Sequence, residues 1–168
     1  MSKPFVAVLM GSDSDLPVMQ STLDVLSSFE IPFEVKVTSA HRTPAATHAY
    51  VTDAEARGCC VFICAAGLAA HLAGAVAGIT TRPVVGVPVD AGPLQGHDAL
   101  LSTVMMPGGV PVASVAIGKA GAKNAGYLAA QILGVADPAI AEKVKVERQK
   151  NAEAVIAKDA ALQEKLAK

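Results

Sequence analysis

The sequence has few of the features that would attach a protein to a nucleic acid or a membrane. Its 168 residues include no Trp, only 4% aromatic residues and no block of basic residues, and the formal net charge is -1. Extensive binding to nucleic acids or anionic membrane surfaces therefore has no electrostatic basis. Apolar runs stay shorter than the ~18 residues of a membrane-spanning helix, and the first residues lack the apolar core of a signal peptide. We expect a cytoplasmic protein.

Cysteine and metal-binding patterns are also scarce. Cys59, Cys60 and Cys64 are an odd number of thiols inside one apolar segment, which argues against a disulfide framework. No spacing of His, Cys and carboxylate side chains resembles a zinc site. Residues 118–120 lack the upstream Gly and the Ser or Thr of a P-loop, and no G-x-G-x-x-G is present. The sequence predicts neither a metal nor a nucleotide cofactor.

The chain does contain a regular alternation of short apolar runs and helical patterns, with apolar residues at 52%. Strands are predicted at residues 5–10, 33–38, 59–65, 83–87 and 112–117. Helices are predicted at residues 16–29, 44–57, 98–105 and 118–133, with a further small-residue helix ending near residue 78. Thr43 and Pro44 have the residue types of an N-cap and a first helical position. The alternation predicts one flavodoxin-like α/β domain over residues 1–168, with about five parallel strands between two helical layers.

A charged, amphipathic tail follows this alternation at about residues 137–168. Asp137 and Pro138 are typical of a helix start, and the helix is expected to run to the end, with a break. The five predicted strands are already complete before it. We therefore expect the tail to dock on its own domain or on a neighbouring subunit, and the protein to form a homo-oligomer.

Polar side chains collect in three predicted turns at one edge of the sheet. Ligands of open parallel sheets bind outside the carboxyl ends of the strands, and residues 11–15, 39–43 and 65–71 leave strands at that edge. These turns carry Ser12, Ser14, Asp15, Ser39, His41, Arg42 and His71. A cation, hydroxyls and free helix N–H groups suit a phosphate, and Asp15 suits ribose hydroxyls. His41 can transfer protons near neutral pH, so the turns predict a sugar-phosphate site.

Each of these residues also has a purely structural explanation. Ser12 and Asp15 have the spacing of a capping box, which taken alone is the more frequent reason for the pattern. Arg42 stands beside a helix start and would be solvated there in any case. His71 would equally serve as a structural histidine at the start of an alanine-rich helix.

Six motifs together resemble one known family over about residues 4–150. They are Met-Gly-Ser-Asp-Ser-Asp at 10–15, Ser-Ala-His-Arg-Thr-Pro at 39–44, Ala-Ala-His-Leu at 69–72, Gly-Val-Pro-Val at 86–89, Met-Pro-Gly-Gly-Val-Pro-Val at 106–112 and Ala-Ile-Gly-Lys-Ala-Gly-Ala-Lys-Asn-Ala at 116–125. In this order they closely resemble the PurE family of N5-carboxyaminoimidazole ribonucleotide mutases. Six separate motifs make a chance resemblance implausible.

The resemblance implies an enzyme of purine biosynthesis that moves a carboxylate from the exocyclic amine of an aminoimidazole ribonucleotide to ring carbon C4. It implies a homo-octamer without metal or organic cofactor, in which the C-terminal helix reaches a neighbouring subunit. It also implies transient hand-off of substrate from the ATP-dependent carboxyaminoimidazole ribonucleotide synthase. By resemblance, His41 and His71 are catalytic. The substrate-binding residues it implies are Gly11, Ser12, Asp13, Asp15, Ser39, Ala40, Arg42, Gly67 and Leu68.

Some positions depart from the family pattern. Leu68 stands where Gly or Ala is customary, Ala73 where Pro is customary, and residues 90–97 form an unusual version of a mobile loop. We expect Leu68 to narrow the carboxylate pocket.

Two other functions compete with the mutase. A related branch of the family carboxylates aminoimidazole ribonucleotide directly with CO2, but it tends to lack the Ala-Ala-His-Leu stretch that contains His71. A non-enzymatic phosphate- or nucleotide-sensing module of the receiver type needs a carboxylate at the end of the third strand, where this chain has Cys64 followed by Ala-Ala-Gly. The sequence therefore favours the mutase.

Overall fold

Five parallel strands form one sheet at the centre of the computed structural model, which describes residues 4–167. They are β1 (Phe5–Met10), β2 (Phe33–Val37), β3 (Cys59–Gly67), β4 (Val84–Val89) and β5 (Ala113–Ser114). The strand order is β2-β1-β3-β4-β5, so the direction of winding reverses between β1 and β3. The sheet confirms the predicted flavodoxin-like α/β fold.

Two helical layers cover the sheet because side chains along β1 alternate between its faces. Val6 and Val8 belong to one core, and Ala7 and Leu9 belong to the other. The helices are α1 (Leu16–Ser28), α2 (Pro44–Ala56), α3 (Leu72–Ala77), α4 (His97–Val104), α5 (Gly118–Gly134) and α6 (Pro138–Leu166). Buried residues of α1 and α5 pack in the first core, and those of α2 and α3 pack in the second.

Small residues allow α1 and α5 to approach closely. A Cβ added at Gly126 of α5 would lie 2.9 Å from Cβ of Val25 in α1. The buried Thr22 of α1 donates a 2.6 Å hydrogen bond from its hydroxyl to the carbonyl of Ala122 in α5. The alanine-rich, aromatic-poor composition therefore corresponds to tight helix packing.

The edges of the sheet differ in how well the sequence predicted them. β2 is an edge strand that lies within the predicted residues 33–38, and its Val35 and Val37 are 43% and 50% exposed. The prediction of a fifth strand over residues 112–117 was wrong in length, because only two residues pair in β5. Pro111 has no N–H to donate, and after Val115 the chain turns into α5, where a Cβ at Gly121 would lie only 1.5 Å from the carbonyl oxygen of Ala116.

The tail is one continuous 29-residue helix, so the expected break is absent. Asp137 caps it by accepting hydrogen bonds from two backbone N–H groups. The first turns pack on the domain through Ile140 and Val144, whereas residues 151–167 are exposed along their whole length. Although α6 is long, no helix within residues 4–167 is apolar enough to cross a bilayer.

Candidate active site

The three predicted turns leave the carboxyl ends of β2, β1 and β3, which are neighbours in the sheet. The N–H of Gly11 donates to the carbonyl of Ala65 at 3.0 Å and joins the turn after β1 to β3. The guanidinium of Arg42 donates to the carbonyl of Gly11 at 3.2 Å and joins the turn after β2 to the turn after β1. The structure thus brings the three turns together at the point where strand order reverses.

The turn after β1 opens a short 3-10 helix, Asp13–Asp15, which runs directly into α1. The backbone N–H of Ser12 donates to the Asp15 carboxylate at 3.2 Å, and the Ser12 hydroxyl accepts from the N–H and hydroxyl of Ser14 at 3.2 and 2.8 Å. The capping box is therefore formed. Burial raises the pKa of Asp15 above its ordinary value, although the Ser12 N–H opposes the shift. Asp15 is the buried member of this turn, while Asp13 and Ser14 are exposed.

The turn after β2 presents two charged or titratable side chains to solvent. His41 and Arg42 are both exposed, and Ser39 and Ala40 are partly buried. The N–H of Arg42 donates to the Ser39 hydroxyl at 3.1 Å, which curls the segment back on itself. The imidazole of His41 is free to reach a ligand without first breaking a packed contact.

Three threonine hydroxyls lie beneath this turn, and sequence reasoning assigned them no part in the site. Thr38 and Thr47 are buried and their hydroxyl oxygens are 2.7 Å apart. The predicted N-cap Thr43 does stand at the N-cap of α2, but its side chain makes no capping bond. Its hydroxyl instead accepts from the N–H of Ser39 at 2.9 Å. The spacing of Thr43 and Thr47, one helical turn apart, was the signal in the sequence.

The turn after β3 has an unusual backbone for its residue types. Leu68 and His71 have φ of 55° and 35°, in the left-handed region that favours glycine. The ring of His71 occupies the space beside Gly74, where an added Cβ would lie 1.8 Å from Nε2. Burial lowers the pKa of His71, and its Nδ1 is buried without a hydrogen-bond partner among the described residues. Burial thus disfavours the protonated imidazole.

A loop over residues 90–97 packs on this turn. A Cβ added at Gly67 would lie 2.6 Å from Cβ of Ala91, and one added at Gly92 would lie 2.8 Å from Cδ2 of Leu68. Leu68 is nevertheless 53% exposed. The Leu68 side chain therefore lies where the turn contacts the loop, and it is also partly exposed to solvent.

The arrangement offers hydrogen-bond donors and a proton carrier but no cluster of metal ligands. No group of three or more His, Cys, Asp or Glu side chains within residues 4–167 could hold a metal ion. The three cysteines are unpaired thiols, and burial raises the pKa of Cys59 to about 11. The site therefore suits binding of an anionic ligand together with acid–base chemistry.

Comparisons with known proteins point to one family. A family model described as AIR carboxylase matches residues 5–154. N5-carboxyaminoimidazole ribonucleotide mutase of Mycobacterium tuberculosis (strain ATCC 25618 / H37Rv) is 53% identical over 161 residues, which cover 96% of this chain and 91% of that protein. The enzyme of the same name from Bacillus subtilis (strain 168) is 50% identical over 154 residues, 92% of this chain and 95% of its own.

A solved structure extends the agreement to the fold. The crystal structure of Treponema denticola PurE matches with a TM-score of 0.86 at 31% identity, and the match covers 95% of this chain and 99% of that one. Sequence and fold thus agree over nearly the whole length. The chain belongs to the AIR carboxylase family.

Proposed function

We propose that the protein is a mutase that converts N5-carboxyaminoimidazole ribonucleotide to 4-carboxy-5-aminoimidazole ribonucleotide. The observation that carries the proposal is the junction of three turns at the switch point of the sheet, where the side chains of His41 and Arg42 are exposed. It is supported by relatives of that name with 50–53% identity over more than nine-tenths of the chain.

The ribonucleotide would be held mainly by the first two turns. Arg42 suits the phosphate because its guanidinium is a donor to an anion, whereas the N–H groups of Ser12 and Ser14 are already bonded within the capping box. Asp15 would accept from ribose hydroxyls. Its carboxylate is already desolvated and fixed by the Ser12 N–H, so little side-chain order would be lost on binding. Gly11, Asp13, Ser39 and Ala40 would form the walls of this subsite.

The chemistry would be carried by His41. Cleavage of the N–C bond of the carbamate releases CO2 and leaves an electron pair on the exocyclic nitrogen, which takes a proton from His41. Carbon C4 then attacks the trapped CO2, and His41 takes the C4 proton as the carboxylate forms. One proton is donated and one is recovered, so the cycle closes without a further acid or base.

The third turn would hold CO2 between the two steps. The unpartnered Nδ1 of His71 supplies a polar atom, while Gly67 and Leu68 supply an otherwise apolar wall. Exclusion of water here would keep the CO2 from being lost before C4 attacks.

The assembly and location are part of the same proposal. Association of subunits is supported by the exposed apolar residues Val35 and Val37 on β2 and by Val155 and Ile156 on α6, which a neighbour would cover. The number of subunits, eight, comes from the resemblance to the PurE family. The distal part of α6 would pack on that neighbour. We place the protein in the cytoplasm, receiving its unstable substrate by transient hand-off from the ATP-dependent carboxyaminoimidazole ribonucleotide synthase.

The decisive experiment uses fresh N5-carboxyaminoimidazole ribonucleotide in buffer containing 13C-bicarbonate, with product and label followed by NMR. Rapid product with little label supports transfer of the carboxylate inside a closed site. Label at the level of the solution, with aminoimidazole ribonucleotide serving equally well, supports the direct carboxylase. Absence of product overturns both activities.

The role of His41 is tested separately. His41→Asn keeps a polar side chain of similar shape but removes the titratable nitrogen, and we expect the fold to persist while turnover falls by about 100-fold or more. A variant with most of the wild-type turnover would remove His41 from the mechanism.

A further inference from the structure

The segment that presents His41 and Arg42 rests on three threonine hydroxyls. The hydroxyl oxygen of Thr38 lies 2.7 Å from that of Thr47 and 3.3 Å from that of Thr43. Thr47 also donates toward the carbonyl oxygens of Thr43 at 3.0 Å and Ser39 at 3.4 Å. The three side chains belong to the end of β2 and the start of α2, so they connect the two elements that flank the turn.

One arrangement of the three protons satisfies the whole cluster. Thr38 donates to Thr47, Thr47 donates to the carbonyl of Thr43, and Thr43 donates to the carbonyl of Ser39 at 3.2 Å. Thr43 simultaneously accepts from the N–H of Ser39 at 2.9 Å. Two of the three side chains, Thr38 and Thr47, are buried, and a polar cluster that is fully satisfied in this way fixes a single local conformation.

Every bond of the cluster to the backbone falls on the two ends of the turn. The N–H and carbonyl of Ser39 and the carbonyl of Thr43 are its partners, and the N–H of Thr43 also donates to the carbonyl of Ser39 at 3.0 Å. The residues between these ends include His41 and Arg42, which are exposed. Apart from the bonds that Arg42 makes to the Ser39 hydroxyl and the Gly11 carbonyl, the path of the turn is therefore set by the threonine hydroxyls at its two ends.

Thr43 shows that the cluster takes precedence over an ordinary helix start. A threonine at an N-cap normally accepts from a backbone N–H inside its own helix. The Thr43 side chain makes no such bond and turns back toward Ser39 instead. We propose that Thr38, Thr43 and Thr47 are positioning residues, which hold residues 39–43 in the conformation that presents His41 and Arg42 to the substrate. This inference rests on the proposed function of His41 and Arg42.

The test compares Thr47→Val, which removes the hydroxyl at nearly constant shape, with Thr47→Ser, which keeps it. Thr22→Val is the matched control, because Thr22 is also fully buried and bonded to a carbonyl but lies between α1 and α5. We expect Thr47→Val to lower kcat by about 10- to 100-fold, in the range that misplacement of a reacting group produces. Thr47→Ser should return kcat to within about threefold of wild type. The kcat of Thr22→Val should also stay within about threefold of wild type.

A second readout does not depend on activity. Trypsin cuts after Arg42 only if the turn opens, so the rate of cleavage at that bond, followed by mass spectrometry, measures how firmly the segment is held. Thr47→Val should accelerate this cleavage relative to wild type and Thr22→Val, and Thr47→Ser should restore the slow rate. If the wild type proves inactive, the proposed function fails but this readout still decides whether the hydroxyls hold the turn.

Thr43→Ala provides the same test at an exposed position, where folding is not at risk if Thr47→Val fails to fold. Wild-type kcat and cleavage rates in Thr47→Val, or in Thr43→Ala if the former does not fold, would overturn the inference. Losses in Thr22→Val as large as those in Thr47→Val, or failure of Thr47→Ser to restore either quantity, would overturn it as well.

Discussion

At the scale of single residues, the position of the His71 imidazole depends on the missing side chain of Gly74. An added Cβ at Gly74 would overlap the His71 ring, at 1.8 Å from Nε2. We expect Gly74→Ala to lower kcat/KM by about 10- to 100-fold through displacement of the imidazole, as measured by steady-state kinetics.

Gly78 offers a matched control for this substitution. Gly78 is the C-cap of α3, the helix that contains Gly74, and its φ is -74°. An added Cβ there would meet only carbonyl oxygens at 3.6 Å, an ordinary contact. Gly78→Ala should therefore keep wild-type kinetics. Equal activity of the two variants would show that the imidazole of His71 has no fixed place in the reaction.

The His71 imidazole also predicts a pH dependence of the free energy of unfolding. Burial lowers the pKa of His71, so below about pH 6.5, the ordinary pKa of histidine, the unfolded chain binds a proton that the folded chain resists. Wild-type stability should therefore fall between pH 7 and pH 5.5 more than that of His71→Gln, which cannot bind this proton. Urea midpoints at the two pH values measure the difference.

Asp15 has the opposite effect on the pH dependence of stability, but it does not alter the comparison between wild type and His71→Gln. Its raised pKa favours the folded state as the pH falls toward the acid range, and Asp15 is present in both proteins. Parallel pH dependences of the two midpoints would mean that the His71 imidazole is as easily protonated in the folded chain as in the unfolded one.

At the scale of elements, the turn after β3 and the loop over residues 90–97 form one unit through Leu68. The left-handed backbone of Leu68 is strained by about 1 kcal/mol or more, and its side chain packs beside Gly92. We expect Leu68→Ala to loosen the loop, so that hydrogen exchange at the N–H groups of Gln95 and His97, which donate within the loop, becomes faster.

A second substitution at this position separates strain from contact. Leu68→Gly also removes the side chain but relieves the backbone strain, so the loop should loosen equally while the urea midpoint rises above that of Leu68→Ala. Unchanged exchange at Gln95 and His97 in both variants would show that the Leu68 side chain does not restrain the loop.

At the scale of the whole molecule, the sequence was sufficient for the architecture but not for every element length. Buried runs such as Phe5–Met10 predicted the strands and the parallel sheet because a strand covered on both faces is apolar throughout. The length of β5 depends on how the chain after Ser114 packs against α5, which no local pattern records. The unbroken course of α6 was missed because a charged, exposed helix leaves little periodic signal.

The candidate site was likewise predicted from the sequence only in part. The three turns and the capping box at Ser12 follow from residue types and strand order, and the structure confirms both. The direction of the Thr43 hydroxyl could not be predicted, because the same residue caps a helix in one rotamer and reaches back in another. The left-handed backbones of Leu68 and His71 likewise depend on tertiary packing. The catalytic and binding roles remain predictions until they are tested by mutation.

The central place of β1 in the sheet also has a consequence during synthesis. β1 is made first, all six of its residues are buried, and it lies between β2 and β3. Its second partner is not complete until Gly67 has been added, which takes about 3 to 11 seconds at ordinary rates of translation. For that interval an apolar strand has an unpaired edge, the kind of surface on which nascent chains aggregate. The strand that organises the finished domain is therefore the one most in need of protection while the chain is being made.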